Sequence, residues 1–234
     1  MFILIGLLIA CASVLLYLGP IAQDETYHSF ADSRSIFGIP NFWNVVSNLP
    51  FAFIGTLGLI RARDSASRLL FAGVFLTAFG SAYYHWSPDD ARLVWDRLPM
   101  TIVFMSLLAM IASEEFPFAR RMLIPLECVG IASVVWWRLS GDLRVYVLVQ
   151  FAPMVIIPVL LLSRSWTATT PRTSSTSALW WMILLYALAK FAEALDSPIY
   201  SALPLSGHTL KHFLAAASTW FILRWRTQQS VSGT

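Results

Sequence analysis

The residues most capable of chemistry in this sequence are its histidines, and two of them stand four positions apart. His208 and His212 occur in the stretch SGHTLKHF. A separation of four places two side chains on one face of a helix, one turn apart. That geometry suits two imidazoles that share a metal ion. The pair alone leaves two other interpretations open, namely interhelical hydrogen bonds and a haem site, although haem favours axial histidines on separate helices.

Three more polar residues accompany this pair. The stretch GSAYYHW contains Ser81 and His85, and LVWDRLPMT contains Asp96. Catalytic zinc sites use three protein ligands and keep a fourth position for water, so the predicted zinc ligands are His85, His208 and His212. Asp96 is then placed to accept a proton from water. The hydroxyl of Ser81, one turn from His85, is placed to hydrogen-bond a developing oxyanion.

These residues lie in a chain that is too apolar for a soluble protein. Of its 234 residues, 57% are hydrophobic and only 12% are charged, whereas about 25% are charged in soluble domains. The mean hydropathy is +0.66. The net charge of +3 comes from cations scattered at helix ends, which is usual in membrane proteins and gives no indication of a nucleic-acid partner. Cys11 and Cys128 lie within hydrophobic stretches, and we expect both to be unpaired.

Eight apolar stretches are long enough to cross about 30 Å of hydrocarbon at roughly 20 residues each. They are residues 2–19, 42–60, 68–86, 92–112, 121–138, 143–163, 178–197 and 208–225. The first lacks the basic segment of a signal peptide, so we interpret it as retained. The predicted fold class is an all-α integral membrane protein, a seven-transmembrane-helix bundle with one additional N-terminal hydrophobic helix.

The predicted organisation divides the chain into four parts. They are an additional N-terminal transmembrane helix (1–19), an extramembrane acidic loop (20–40), a seven-helix catalytic membrane domain (41–226) and a polar C-terminal tail (227–234). Eight crossings place both termini on one side of the membrane, and arginine is somewhat more frequent there. The positive-inside rule then makes that side cytoplasmic.

On this map the candidate site residues all fall at the opposite side of the membrane. His28 lies there too, in the 20–40 loop. Residues more than a hundred positions apart thus reach one depth, and ionisable groups within membrane helices indicate function by default. An Arg-rich, Lys-poor chain with short loops is typical of bacteria. We therefore predict a bacterial inner-membrane protein whose metal site lies toward the periplasmic face.

Further polar groups are open to more than one interpretation. The stretch KFAEALD places Lys190, Glu193 and Asp196 at spacings of three, which favours a structural ion pair between Lys190 and Glu193 over a catalytic role. The stretch NFWNVVSN holds polar residues that either cap a helix or hydrogen-bond to neighbouring helices; they are Asn41, Asn44, Ser47 and Asn48. The acidic stretch DETYHSFAD either binds a cation through oxygen ligands or forms a solvated cover.

The pattern of chemical residues resembles that of the alkaline ceramidases. These belong to the wider CREST superfamily of membrane hydrolases, with the adiponectin receptors and lipid-remodelling enzymes. The shared pattern is S-x-x-x-H, an Asp eleven positions after this His, and a late H-x-x-x-H. It is carried here by Ser81, His85, Asp96, His208 and His212. The stretch FWNVVSN resembles the opening of the first core helix, and the resemblance covers about residues 41–226.

The resemblance implies a seven-helix bundle with an intramembrane Zn²⁺ and hydrolysis of ceramide to a sphingoid base and a fatty acid. The expected partner is therefore a membrane lipid substrate. Asn41 stands where those enzymes have a Glu in a calcium-binding segment, so a Ca²⁺ requirement does not follow. The residues alone suit an ester as well as an amide. A metal-dependent esterase or phospholipase on glycerolipids stays open, as does a seven-helix receptor-like protein with a structural metal.

Overall fold

The computed structural model of the protein describes residues 17–167 and 174–232, together with residues 6, 12, 13 and 15. Most of the predicted helix 2–19, including Cys11, lies outside these residues. The described part of the chain folds into helices and connecting loops and contains no β-strand. Cys128 is unpaired, as predicted, and it is exposed on the outside of its helix.

The helices after residue 41 follow the predicted stretches with shifted ends. In chain order they are α1 (Phe42–Val46), α2 (Leu49–Arg61), α3 (Ser65–Trp86), α4 (Asp90–Glu115), α5 (Leu123–Ser140), α6 (Arg144–Thr167), α7 (Ser174–Ala194), α8 (Asp196–Ala202) and α9 (Gly207–Ser232). Short 3₁₀ helices lie at Glu25–His28 and Pro117–Met122. Two predictions of continuity were wrong. The stretch 42–60 is divided into α1 and α2, and the stretch 178–197 is divided between α7 and α8.

Six segments of the described residues are long and apolar enough to cross a membrane. They are Phe42–Arg61, Ser65–Trp86, Asp90–Glu115, Pro117–Ser140, Arg144–Ser163 and Thr176–Ala194. Helix α9 has 26 residues but is not among the six, because its polar residues lower its mean hydropathy. Many of the large side chains exposed on these helices are apolar, as in Phe53, Leu139 and Phe191. Such an outer surface suits lipid and not water.

The long helices pack around one large apolar core. It joins Phe71 of α3, Ile111 of α4, Leu179 of α7 and Leu223 of α9, all of which are almost completely buried. Helices α3 and α4 come close enough at Gly80 that a Cβ there would overlap the carbonyl oxygen of Trp95. This close approach fixes the ends of α3 and α4 that carry the predicted site residues.

Candidate metal centre

The three predicted ligands come from the end of one helix and the beginning of another. His85 lies in the last turn of α3, and His208 and His212 lie in the first turns of α9. Helix α9 begins in close contact with α7. The contact is so close that a Cβ at Gly207 would overlap a backbone carbonyl of α7. The backbone N–H of His208 donates to the Asp196 carboxylate at 2.7 Å. Asp196 thus holds the start of α9 in place.

The three imidazoles converge on a common point. The Nε2 atom of His85 lies 3.2 Å from Nε2 of His212 and 3.4 Å from Nε2 of His208. All three rings are buried, and their ligand atoms lie within 4.8 Å of one another. Zinc–nitrogen bonds of 2.0–2.1 Å in a tetrahedron place two ligand nitrogens about 3.3 Å apart. The spacing of the imidazoles therefore fits a zinc ion.

The hydrogen bonds around the rings indicate which ring nitrogens present lone pairs. Nδ1 of His212 lies 2.7 Å from the Ser47 hydroxyl. A proton on that nitrogen, donated to Ser47, leaves Nε2 with its lone pair free, as metal-bound histidines require. The ammonium of Lys211 lies 3.0 Å from Nε2 of His208 and donates to its lone pair, so Lys211 has to release that lone pair before a metal ion binds there. Nitrogen lone pairs that face one another in a buried site are best satisfied by a cation.

The polar stretch at residues 41–48 ties α3 and α9 together, as one of its two interpretations predicted. The Asn41 amide donates to the carbonyl of His85 at 2.9 Å. The Thr209 hydroxyl donates to the Asn44 amide oxygen at 2.9 Å. Together with the contact of Ser47 to His212, these bonds set the spacing of the two ligand-bearing helices.

A loop covers the outer face of the three histidines. The ring of Phe30 lies 4.7 Å from that of His85 and 4.6 Å from that of His208, measured between centroids. The loop is held down where the N–H of Ala31 donates to the Asp196 carboxylate at 2.9 Å. The predicted acidic loop thus lies over the candidate site.

The acidic residues of this loop bond to groups of the loop itself. The Asp24 side chain accepts from the N–H of Thr26 at 2.9 Å. Asp32 forms an ion pair with Arg34 at 2.6 Å. Burial opposes ionisation of Asp32, but the hydrogen bonds and charge of Arg34 outweigh it and keep the pKa of this carboxyl below its ordinary value. Both carboxylates therefore stabilise the loop.

A cavity of about 350 Å³ opens beside the histidines. His212, Ser81 and Asp96 line one end of it. The structure therefore brings both predicted catalytic residues to the same space as a predicted ligand. Farther from the histidines, the walls are apolar and include Phe104 and Met182.

Two more charged clusters lie near the candidate site. Lys190 pairs with Glu193, as predicted, and the same carboxylate also accepts from Lys211 at 2.9 Å. The sequence interpretation missed Lys211, although its position three residues after His208 puts it on the same helix face. His28 lies outside the triad and contacts Tyr84 and Asp90 at 2.9 and 3.1 Å.

Arg97 is a further residue of the cavity wall that the sequence interpretation did not single out. It directly follows Asp96, and its only sequence signal was that position. As a cation near a helix end, it resembled the ordinary boundary arginines of membrane proteins.

Comparison with known families gives one match. A family model described as Ceramidase matches residues 36–197, which is more than half of the chain. Ser81, His85 and Asp96 lie within the matched range, and His208 and His212 follow it. Comparison with curated proteins and with solved structures gives no significant match.

Proposed function

Because this chain belongs to the ceramidase family, we propose that it is a zinc-dependent membrane amidase that cleaves ceramide-like lipids to a sphingoid base and a free fatty acid. The family implies a hydrolase that acts on a lipid amide. The observation that supports zinc is the buried convergence of His85, His208 and His212. The observation that supports a catalytic site is the cavity beside them.

The proposed ligands are suited to zinc by their chemistry as well as their spacing. Three neutral imidazoles form the ligand set of a catalytic zinc site, which keeps its fourth position for water or substrate. When bound, zinc polarises a carbonyl oxygen and lowers the pKa of water toward about 7. The hydrogen bond between Ser47 and His212 orients one ligand, as outer-shell partners do in metal sites.

The remaining chemistry belongs to two side chains of the cavity wall. We assign Asp96 as the base that accepts a proton from the attacking water and later delivers it to the leaving amine nitrogen. Water adds to the amide carbon, and the carbon–nitrogen bond breaks as this nitrogen is protonated. Ser81 donates a hydrogen bond to the amide oxygen as negative charge develops on it. Both residues are more than nine-tenths buried, so these interactions act at low dielectric.

The shape and lining of the cavity support a lipid substrate. From Ser81 and Asp96 the cavity continues past apolar side chains of four helices, namely Phe104, Ile157, Met182 and Ile222. An acyl chain lying along this wall would place its amide beside the two polar residues. The enclosing helices have the composition of membrane spans, so the lipid would reach the cavity from the bilayer.

We extend the proposal to the membrane arrangement. Helix α9 would be the seventh span of the core, because its 26 residues extend about 39 Å at 1.5 Å per residue. With the N-terminal helix, this arrangement puts both termini in the bacterial cytoplasm and the histidines toward the periplasm. A C-terminal reporter that is active only in the periplasm should be inactive. An active reporter would contradict this orientation.

The activity is tested by measuring metal and product together. Purified protein should contain about one zinc per chain and release fatty acid from ceramide, and His85→Ala should do neither. Release from phospholipids but not from ceramide would point instead to an esterase. Bound zinc without hydrolysis of either lipid would favour a receptor-like protein with a structural metal.

A further inference from the structure

Arg97 is a buried cation in the cavity wall, and the described residues give its guanidinium no anionic partner. Its residue surface is only 5% exposed. Nη2 donates to the Gln23 side-chain oxygen at 2.6 Å. Among the described residues, Nη1 has no hydrogen-bond partner, and no carboxylate lies within salt-bridge distance of the guanidinium. A donor of the guanidinium is therefore left for something outside the described chain.

Aromatic rings hold the guanidinium in place without neutralising it. Its central carbon lies 4.1 Å from the ring centroid of Trp137, 4.7 Å from that of Tyr146 and 5.8 Å from that of Tyr27. Cation–π contacts of this kind orient an arginine and offset part of its desolvation. They leave its full positive charge available to an anion. The arginine is thus fixed and oriented before any ligand arrives.

The charged side chains that line the cavity leave the positive charge of Arg97 without a matching negative charge. Lys190 and Lys211 both pair with the carboxylate of Glu193. Among the described residues, the other carboxylate that lines the cavity is Asp96, which precedes Arg97 in the chain but forms no salt bridge with its guanidinium. Two carboxylates thus stand against three cations. A buried charge without a counter-ion is costly, and in membrane proteins such a group indicates a functional site.

We propose that Arg97 binds an anionic group, a phosphate, sulfonate or carboxylate, on the headgroup of the lipid amide. This inference rests on the proposed function. The planar guanidinium matches such oxyanions with two parallel hydrogen bonds. Gln23 and Tyr27 place it under the covering loop, at the end of the cavity where a headgroup would lie. The preferred substrate is then an acidic ceramide-like lipid and not neutral ceramide.

The test compares two lipids that differ only in a headgroup phosphate. Fatty-acid release is measured from ceramide and from ceramide 1-phosphate with the same acyl chain. In wild-type protein the phosphorylated lipid should have the higher kcat/KM. Arg97→Gln should lower the ratio of the two kcat/KM values by about 10- to 100-fold, the usual loss for a charged hydrogen bond. An unchanged ratio would overturn the proposal.

A matched control lies on the same helix. Arg92 pairs with Asp89 at the start of α4 and does not line the cavity. Arg92→Gln should leave the ratio unchanged, and an equal fall in both variants would overturn a specific role for Arg97. If Arg97→Gln does not fold, wild-type protein still decides the matter, because equal kcat/KM values for the two lipids contradict the proposal.

Binding to metal-free protein separates this inference from the proposed function. Displacement of a fluorescent lipid gives affinities for ceramide, ceramide 1-phosphate and free fatty acid. Tighter binding of ceramide 1-phosphate without hydrolysis would keep the anion site and reject the amidase. Hydrolysis with equal affinity for both ceramides would keep the amidase and reject the anion site. If Arg97→Gln weakens the binding of free fatty acid only, Arg97 binds the carboxylate of the product. That result would overturn the assignment of Arg97 to the headgroup.

Discussion

Helices α3 and α9 run antiparallel and meet at both of their ends, and the two meeting points use polar residues in opposite ways. At one end Asp64 and Ser67 contact Arg226. At the other end His85 contacts His212. From Ser67 to His85 the helix rises about 27 Å at 1.5 Å per residue. One pair of helices thus carries two polar clusters on opposite sides of the apolar core.

The cluster of Asp64, Ser67 and Arg226 satisfies its own hydrogen bonds and charges. The Asp64 carboxylate accepts from the N–H of Ser67 at 2.9 Å and from its hydroxyl at 2.8 Å, and it pairs with Arg226. The Nε atom of Arg226 also donates to the Ser67 hydroxyl at 3.0 Å. This cluster caps α3 and joins it to α9. Its charges and donors are balanced within the chain.

In the histidine cluster and the cavity beside it, by contrast, some buried polar atoms have no partner among the described residues. Its Nε2 atoms face one another, and among the described residues Nδ1 of His85 and Nη1 of Arg97 have no hydrogen-bond partner. Buried polar groups normally find partners. The comparison teaches that polar residues at a helix end do not by themselves indicate function. Buried polar groups that are held in position but have no hydrogen-bond partner do indicate it.

The largest expected effect comes from removing a ligand. His85→Ala should lose bound zinc, and fatty-acid release should fall to the rate without enzyme, because two imidazoles do not complete the site. Elemental analysis and product assay measure the two effects. Asp64→Asn, at the opposite end of α3, is the control and should keep both. Zinc content equal to that of wild type in His85→Ala would remove this residue from the ligand set.

Removing the proposed base should separate chemistry from metal binding. Asp96→Asn should keep zinc, while kcat falls by about 10²- to 10⁴-fold, the usual contribution of a general base. Asparagine is nearly isosteric but accepts no proton at neutral pH. Single-turnover release of fatty acid by zinc-loaded protein measures the effect. Turnover close to that of wild type would assign the proton transfer to another group.

A smaller effect is expected from the residue that orients a ligand. Ser47→Ala removes the partner of His212 Nδ1, and zinc affinity should fall by about 10- to 100-fold. Competition with a chelator measures it. Ser201→Ala is a matched control, because this exposed hydroxyl donates to the Pro198 carbonyl of its own helix. Equal zinc affinities in the two variants would show that Ser47 does not support the ligand.

The smallest effect is expected from a substitution in the cluster of Asp64, Ser67 and Arg226. Asp64→Ala removes a helix cap and should lower the free energy of unfolding by about 0.5–2 kcal/mol without changing zinc content. Burial opposes ionisation of Asp64, but hydrogen bonds from Ser67 and the charge of Arg226 outweigh it and lower its pKa.

The sign of the pH dependence follows from that lowered pKa. The stabilisation by Asp64 is present above the ordinary carboxyl value and is lost as pH falls through the value in the folded protein. Thermal unfolding of wild type and Asp64→Ala should therefore differ most at neutral pH and converge in acid. A difference that grows in acid would contradict this role.

Much of the fold could be predicted from hydropathy. Long apolar stretches in the sequence correspond to α3 through α7, because a membrane span leaves a strong signal in composition. The break between α1 and α2 has a sequence signal that hydropathy alone does not register, namely Pro50 in the first turn of α2, because proline has no N–H to continue the preceding helix. The hydropathy of α9 is weakened by the same polar residues that make the candidate site.

Only part of the candidate site could be predicted from the sequence. His85, His208 and His212 could be expected together because helical spacing and membrane depth both follow from position in the chain. Arg97 and Lys211 could not, because cations at helix ends are common. Only the three-dimensional structure distinguishes a cation that shares Glu193 from one that has no carboxylate partner in the part of the chain that the structure describes.

The polarity of α9 has a consequence for how the protein is made. A segment with two histidines and a lysine in its first turns enters lipid poorly by itself, because charged groups are costly there. Its polar residues are covered only when α1, α3 and α7 already stand beside it. Helix α9 is synthesised after those helices, so its insertion can be templated by them. A protein whose earlier helices misassemble would then lose this helix and two of the three candidate metal ligands in a single step.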